Sequence, residues 1–320
     1  MNEHIQKAQD TWDTIDVEQV RNVSWLSISY FGRQVERGLT DNYRTPLAFL
    51  LSQRYSEEAC QELKGLALVC GDMEAERGFF ESLPNIRFST VDGYDLSPES
   101  IKRYQPKGCE FRPHIMDAND IALEPNQFDL IVGCHGIHHI YNLGGMFYQT
   151  HKAIKPEGLF VLHEWVGPPY LQIPLRNHII ASFLLFVLFP SRRVRTTHMN
   201  RVKGVWLQSR PQAFDPSEAC NANELMPQLL KYFKPIRIVK YGALAYPMFE
   251  GIGHNIDEER PLNKLRIRIV FYIEQILIRL RIIRPLFVSA VVEKRADIFR
   301  QYHWTEALKK HFQRALRRTR

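Results

Sequence analysis

The stretch "LALVCGDMEAERGFF", residues 66–80, decides how the chain is read. An apolar segment, Leu66 to Val69, runs into Cys70-Gly71-Asp72 and then into a helix-like segment over 74–83. That is the strand, tight turn and helix with which a ligand-binding α/β sheet begins. Loops of this layout ordinarily carry two or three glycines. This one keeps Gly71, while Val69 and Met73 stand where others are expected. Whether such a loop still holds a ligand is answered by what surrounds it.

Downstream, short apolar segments alternate with helical ones. Strands are expected at 66–69, 86–96, 109–117, 128–136, 159–167, 236–244 and 286–295. Helices are expected at 74–83, from 98 onward, at 144–154, 223–233 and 262–281, with a turn at Pro156-Glu157-Gly158 ahead of the fifth strand. Alternation of this kind implies a mostly parallel sheet of seven strands covered by helices on both faces. Residues 1–60 read as a helical segment, 61–167 as a ligand-binding core, 168–225 as an insertion capping the acceptor side, 226–300 as completion of the sheet and 301–320 as a basic tail.

Composition is that of a globular protein of 320 residues, 45% hydrophobic and 24% charged. The five cysteines (Cys60, Cys70, Cys109, Cys134, Cys220) are scattered and form no CxxC pair. Neither a disulfide framework nor a metal site is expected from them, and a reducing, cytoplasmic setting is. The opening "MNEHIQKAQDTWDT" is polar and does not read as a secretory signal. The last twelve residues, "KKHFQRALRRTR", hold six Lys/Arg; subtracting these from the net charge of +7 leaves +1 for residues 1–308. A nearly neutral body argues against a nucleic-acid partner, leaving the tail as its one support.

In an open parallel sheet the ligand lies beyond the carboxyl ends of the strands, so the residues at each exit matter most. They are Cys70-Gly71-Asp72 after the first strand, Asp95-Leu96 after the second and Asp117-Ala118 after the third. His135-Gly136 and "IHHI" follow the fourth, and His163, Glu164 and Trp165 the fifth. A strand buried on both faces has no structural need for such groups. Taken in order, "VCGDMEAER", "VDGYDLSPESI", "MDANDI", "FDLIVGCHGIHHI" and "HKAIKPEGLFVLHEW" resemble the strand-exit motifs of the class I S-adenosylmethionine-dependent methyltransferases. The resemblance runs from about residue 64 to 168, and residues 214–255 look like the C-terminal half of a bacterial subgroup often associated with sugar, glycan or secondary-metabolite modification. It implies an α/β, Rossmann-like fold. It also implies S-adenosylmethionine held by Cys70, Gly71, Asp72, Asp95, Leu96, Asp117, Ala118 and His135. Asp95 would accept the two ribose hydroxyls and Asp117 the adenine amino group, with the Ala118 N–H meeting the ring. The acids Asp72, Glu74 and Glu76 would repel a pyrophosphate and suit a sulfonium. Met73 is expected to narrow the pocket or cover the methionine arm of the cofactor.

Methyl transfer to an alcohol needs a proton acceptor working near neutral pH, which suits histidine. His139 or His163 is the expected base, with His138 nearby and Glu164 orienting or assisting. The acceptor is expected to be a small-molecule, sugar or lipid-linked hydroxyl. Two alternatives stay open: an RNA methyltransferase, and a methyltransferase fold that has lost catalysis and serves as a partner module.

"HIIASFLLFVLF" (178–189) holds ten apolar residues in twelve. As a helix it would be about 18 Å long, short of a bilayer core of about 30 Å. Burial all round is expected, against the sheet domain, in a homodimer interface or along an acceptor pocket. The basic stretches nearby leave a peripheral membrane contact open.

Overall fold

The segment Phe128–Cys134, "FDLIVGC", is buried at every position, as a central strand covered on both faces must be. The computed structural model places it in the middle of a seven-stranded sheet and describes residues 7, 9, 10, 13, 22–33, 44–73, 75–101, 103, 107–204 and 215–296. Much of the N-terminal segment, Glu74, residues 205–214 of the insertion and the basic tail lie outside the described residues.

The strands are β1 (Leu63–Leu68), β2 (Phe88–Asp95), β3 (Glu110–Ile115), β4 (Phe128–Cys134), β5 (Ile154–Trp165), β6 (Phe233–Tyr241) and β7 (Phe287–Lys294). Their order is β3-β2-β1-β4-β5-β7-β6. The first five run parallel, and β7 lies antiparallel between β5 and β6. The order reverses between β1 and β4, and at such a switch point the chain leaves in opposite directions and opens a crevice beyond the strand ends.

Side chains of a strand alternate between faces. In β5, Leu159, Val161 and Trp165 enter one buried cluster, and Phe160 and Leu162 enter the other. The first cluster is covered by α1 (Arg44–Ser52), α2 (Arg77–Glu81), α8 (Ala245–Phe249) and α9 (Pro261–Arg279). The second is covered by α4 (Leu143–Ala153) and α7 (Ala222–Tyr232). The start of α4 is fixed by Asn142, whose side chain accepts from the Gly145 N–H at 3.0 Å. Pro261 opens α9, where a missing N–H costs nothing.

Three local expectations are corrected. The helix after the first turn is only Arg77–Glu81, because Ala75 and Glu76 still belong to a turn. The helix after β2, α3 (Pro98–Ile101), is a single turn capped by Ser97, whose hydroxyl accepts from the Ser100 N–H. Strand β5 begins at Ile154, before the anticipated turn. Phe128 pairs with Ile154 and Leu130 with Leu159, so Lys155-Pro156-Glu157-Gly158 is looped out of the ladder as a bulge.

The apolar run of the insertion is helical over Leu175–Leu188 (α5), followed by α6 (Arg192–Arg195). It is not buried all round. Ala181, Ser182, Leu184 and Leu185 face the core, whereas Leu175, Ile179, Phe183 and Val187 form an exposed stripe at four-residue spacing. Asn177 anchors the helix: its amide donates to the carbonyls of Ala243 and Arg284 and its oxygen accepts from the Arg284 N–H. Among the described residues no helix is long and apolar enough to cross a membrane.

Candidate functional site

The first turn keeps the shape of a glycine loop without its glycines. Val69, Gly71 and Met73 all have positive φ, at 51°, 50° and 60°. For a β-branched residue such as Val69 that region is strained, of the order of 1–3 kcal/mol. Strain of this kind persists only where neighbours enforce it, and here one does. A Cβ on Gly136, at the exit of β4, would sit 2.2 Å from the Val69 carbonyl oxygen, so loop and exit touch backbone to backbone. Around Gly71 no atom lies within 4 Å of where a Cβ would be, which leaves room for a ligand at that position. Met73 is fully buried in the apolar cluster beneath the loop. Its side chain is core packing and does not narrow a pocket.

Asp95 closes β2 and turns its carboxylate back to this loop. One oxygen accepts from the Gly71 N–H at 2.7 Å, the other from the Ser97 N–H at 2.8 Å. Each oxygen retains a second acceptor position. Burial raises its pKa against the pull of those two N–H groups. The buried Glu76 receives the Cys134 N–H at 3.2 Å, and burial pushes it well above the carboxylate range, with Asp72 and Asp95 adding like charge. Three acids thus converge on the turn, where a cationic ligand would relieve the repulsion between them. Cys70 contributes only backbone at the loop, since its thiol is buried and neutral, pushed up by that burial. Asp92 lies within β2 and pairs with His114 at 2.8 Å, as its position before the strand end requires.

The exits of β2 and β3 are adjacent: Asp95 pairs with Ile115, and the Met116 N–H donates to the Asp95 carbonyl at 2.9 Å. Asp117 follows directly. It caps the short 3-10 helix Ala118–Asp120, one oxygen accepting from both the N–H and the amide of Asn119 at 2.8 Å. Asn119 in turn accepts from the Tyr141 and Asn142 N–H groups. The third exit is therefore tied to the fourth. Ala118 is buried, and Leu96 partly exposed beside Asp95.

The four histidines of the rim fall into two pairs on opposite faces. His163 shares a face with Trp165, its Nδ1 bonded to the Ser289 hydroxyl at 2.9 Å and its ring edge-on to Phe79. His135, at φ 58°, lies against Phe287 and donates its N–H to the His163 carbonyl. Burial lowers both: at His135 the charge of Glu164 works against it without overcoming it, and at His163 the charge of His135 adds to it, pushing the ring down to about 3. His163 is therefore not grouped with His138 and His139, the other candidates for the base.

His138 and His139 lie on the other face, rings 4.3 Å apart, within a set of carboxylates. Glu164, completely buried, accepts from the Gly136 and Ile137 N–H groups at 2.8 and 2.6 Å and meets His138 Nδ1 at 2.6 Å. Burial alone would lower His138, but Glu164 and Glu218 override it and push it up to about 10. Glu164 is held below its ordinary value: burial opposes that, and His138 overcomes it by charge and hydrogen bond. His139 Nδ1 lies 3.0 Å from the Ser217 hydroxyl and 3.3 Å from Asp215. Burial opposes the Asp215 charge, yet the bonds from His139 and Ser217 hold it well below the carboxylate range.

Asp215, Ser217 and Glu218 come from the far end of the segment following β5 and are latched to the rim. The Tyr141 hydroxyl donates to the Pro216 carbonyl at 2.9 Å, and the Asn221 amide to the Tyr141 carbonyl at 2.9 Å. The sequence reading assigned these residues no role. Two acids three apart in "DPSEA" are too common a pattern to single out.

Comparison with known proteins agrees with this geometry. Residues 77–162 match the family model described as a methyltransferase domain. No curated protein matches the chain. Among solved structures, the chain is similar to an S-adenosylmethionine dependent methyltransferase from Mesorhizobium loti, at 17% identity over 76% of this chain and 95% of that one, TM-score 0.38. It is also similar to the cyclopropane synthase MmaA2 from Mycobacterium tuberculosis (15%, 91% and 98%, TM-score 0.46). A third is the geranyl diphosphate C-methyltransferase from Streptomyces coelicolor (12%, 92% and 98%, TM-score 0.42). These likenesses are too distant to bear on the acceptor. Residues 77–162 therefore carry a methyltransferase domain within a Rossmann-like sheet, and S-adenosylmethionine is its cofactor.

Proposed function

We propose that the protein transfers a methyl group to a hydroxyl oxygen of a small, sugar or lipid-linked acceptor, with His139 taking the proton. The observation that carries this reading is the clamp on His139. Ser217 and Asp215 at Nδ1 place the ring proton there and leave Nε2 as the basic nitrogen. His138 is a poor base, since its carboxylate partners keep its proton in place at neutral pH. His163, held neutral on the opposite face, is equally unsuited.

S-adenosylmethionine supplies an electrophilic methyl on a sulfonium; the chain's own groups do the rest. Gly71, Asp72 and the backbone of Cys70 form the floor of the site. Asp95 uses its remaining acceptor positions for the ribose hydroxyls and Asp117 its second oxygen for the adenine amine, with Leu96 and Ala118 flanking the ring and His135 behind the turn. In-line displacement is mostly positioning, and the proton acceptor adds a further factor of about 10²–10⁴. Glu164 is a positioning residue: it holds the Gly136-Ile137-His138 turn on which His139 stands. The exposed apolar stripe on α5 favours a lipid-linked acceptor over a fully polar one. The retained loop dihedrals count against a lapsed fold.

Titration calorimetry tests the cofactor half. Asp95→Asn should weaken S-adenosylmethionine binding about 100-fold, the loss of two charge-assisted bonds. Labelled-methyl transfer into small-molecule and lipid fractions tests the other half. His139→Gln should bind cofactor as the parent does and lose transfer by about 10²-fold or more. A product methylated on carbon or nitrogen, or undiminished transfer by His139→Gln, overturns the reading.

A further inference from the structure

We propose that His138, His139 and Glu218 form a binding site for a first-row divalent cation, zinc fitting best. Among the described residues this is the group whose nitrogen and oxygen donors lie close enough to share one ion, all three within 4.8 Å of one another. His138 Nε2 is 3.3 Å from one Glu218 oxygen, and His139 Nε2 is 4.0 Å from the other. Charge-assisted hydrogen bonds are shorter, about 2.7–2.9 Å. Ligands bound tetrahedrally at about 2.0–2.2 Å are separated by roughly 3.4 Å. The two observed separations bracket that value, so an ion needs only small adjustments to enter.

A second feature points the same way. A histidine that binds metal through one nitrogen characteristically gives the other N–H to a carboxylate. Both rings are arranged so: His138 Nδ1 faces Glu164 at 2.6 Å, and His139 Nδ1 faces Ser217 and Asp215 at 3.0 and 3.3 Å. Each Nε2 is thereby turned to Glu218. The ion partners of Glu164 and Glu218 among the described residues are these two imidazoles. Two imidazoles and one carboxylate with a fourth position open is the donor set of catalytic zinc and of facial-triad metals. The donors arise from sequence positions about eighty residues apart, so the site exists only once the 215–222 turn has closed on the β4 exit.

The consequence for catalysis rests on the function proposed above. A cation on His139 Nε2 occupies the lone pair that would take the acceptor's proton, so metal loading and base catalysis exclude each other. The site is thus a brake on methyl transfer.

The full-length protein is dialysed against zinc, passed over a chelating resin and assayed for metal by plasma mass spectrometry. One retained equivalent is expected, with a visible absorption band of four-coordinate geometry when cobalt replaces zinc. Glu218→Gln and His138→Gln should each lower zinc affinity about 100-fold, Asp215→Asn about 10–100-fold, and Cys220→Ser not at all. No retained metal, or equal retention by Glu218→Gln, overturns the site. Should these variants fail to fold, anomalous diffraction at the zinc edge from the unaltered protein decides: density between residues 138, 139 and 218 supports the site, and density elsewhere overturns it. Zinc should block labelled-methyl transfer and a chelator restore it, with cofactor binding by calorimetry unchanged. Retained metal with undiminished transfer upholds the site and overturns the base role of His139.

Discussion

Glu164 and Glu274 are two completely buried carboxylates that perform the same structural task with opposite electrostatic outcomes. Glu274, reaching in from α9, accepts from the N–H groups of Gly242, Leu244 and Ala245 at 2.8, 2.6 and 2.9 Å. Glu164, at the same end of the sheet, accepts from Gly136 and Ile137 and adds His138. Burial dominates at Glu274 and raises its pKa in spite of three donors. Burial acts at Glu164 too, but the neighbouring imidazoles, His138 foremost and His135 behind it, reverse the sign. Backbone donors alone do not keep a buried carboxylate charged here; a cation beside it does. One is a clip for a turn, the other a clip that also holds charge at the methyl-transfer rim.

The comparison is broken most easily at Glu164. Glu164→Gln should cost about 2–3 kcal/mol in urea unfolding, because it removes a charge-assisted bond and leaves Glu218 alone to balance His138 in a dry setting. If the cost equals that of the same change at Glu274, charge does not distinguish the two sites. The next effect is in pH. Glu274 has a raised folded value, so the folded state holds the extra proton and stability falls as pH climbs out of the ordinary carboxylate range. Glu164 has a lowered value, so in chelator-treated protein its contribution is present above the ordinary carboxylate value and lost as pH drops below it. Glu274→Gln should flatten the first slope and leave the second, as seen by unfolding midpoints at several pH values. The smallest effect is Glu274→Gln itself, about 1 kcal/mol at neutral pH, since its amide oxygen still accepts from part of the turn. A cost near that of Glu164→Gln would show that Glu274 is held charged after all.

Much of the fold was legible because strands and turns report themselves locally. The seven apolar segments and the acid at the tip of β2 carried local signatures and fell near their places, whereas the Lys-Pro-Glu-Gly run, expected as a turn ahead of the fifth strand, is a bulge within it. The rim was less so. His163 and Glu164 are neighbours on an extended strand and must point to opposite faces, so pairing them as one catalytic unit was already at odds with the geometry of β5. Asp215 and Glu218 were invisible for another reason: their meaning depends on a turn seventy-odd residues away folding back onto His138 and His139. Met73 read as a pocket residue because it stands where a glycine is expected, whereas here the side chain is drawn into the core.

The first turn carries a lesson about what a motif is. Val69 and Met73 adopt the dihedrals that glycine usually provides, and the backbone of Gly136 is pressed against Val69. The family match begins at Arg77, just past this turn. Shape has outlived spelling: a pattern that counts letters stops short of the loop, whereas one that compares torsions would recognise it at once. Chains with similarly respelled turns are to be sought by their backbone path, since their alphabet no longer advertises the cradle they keep.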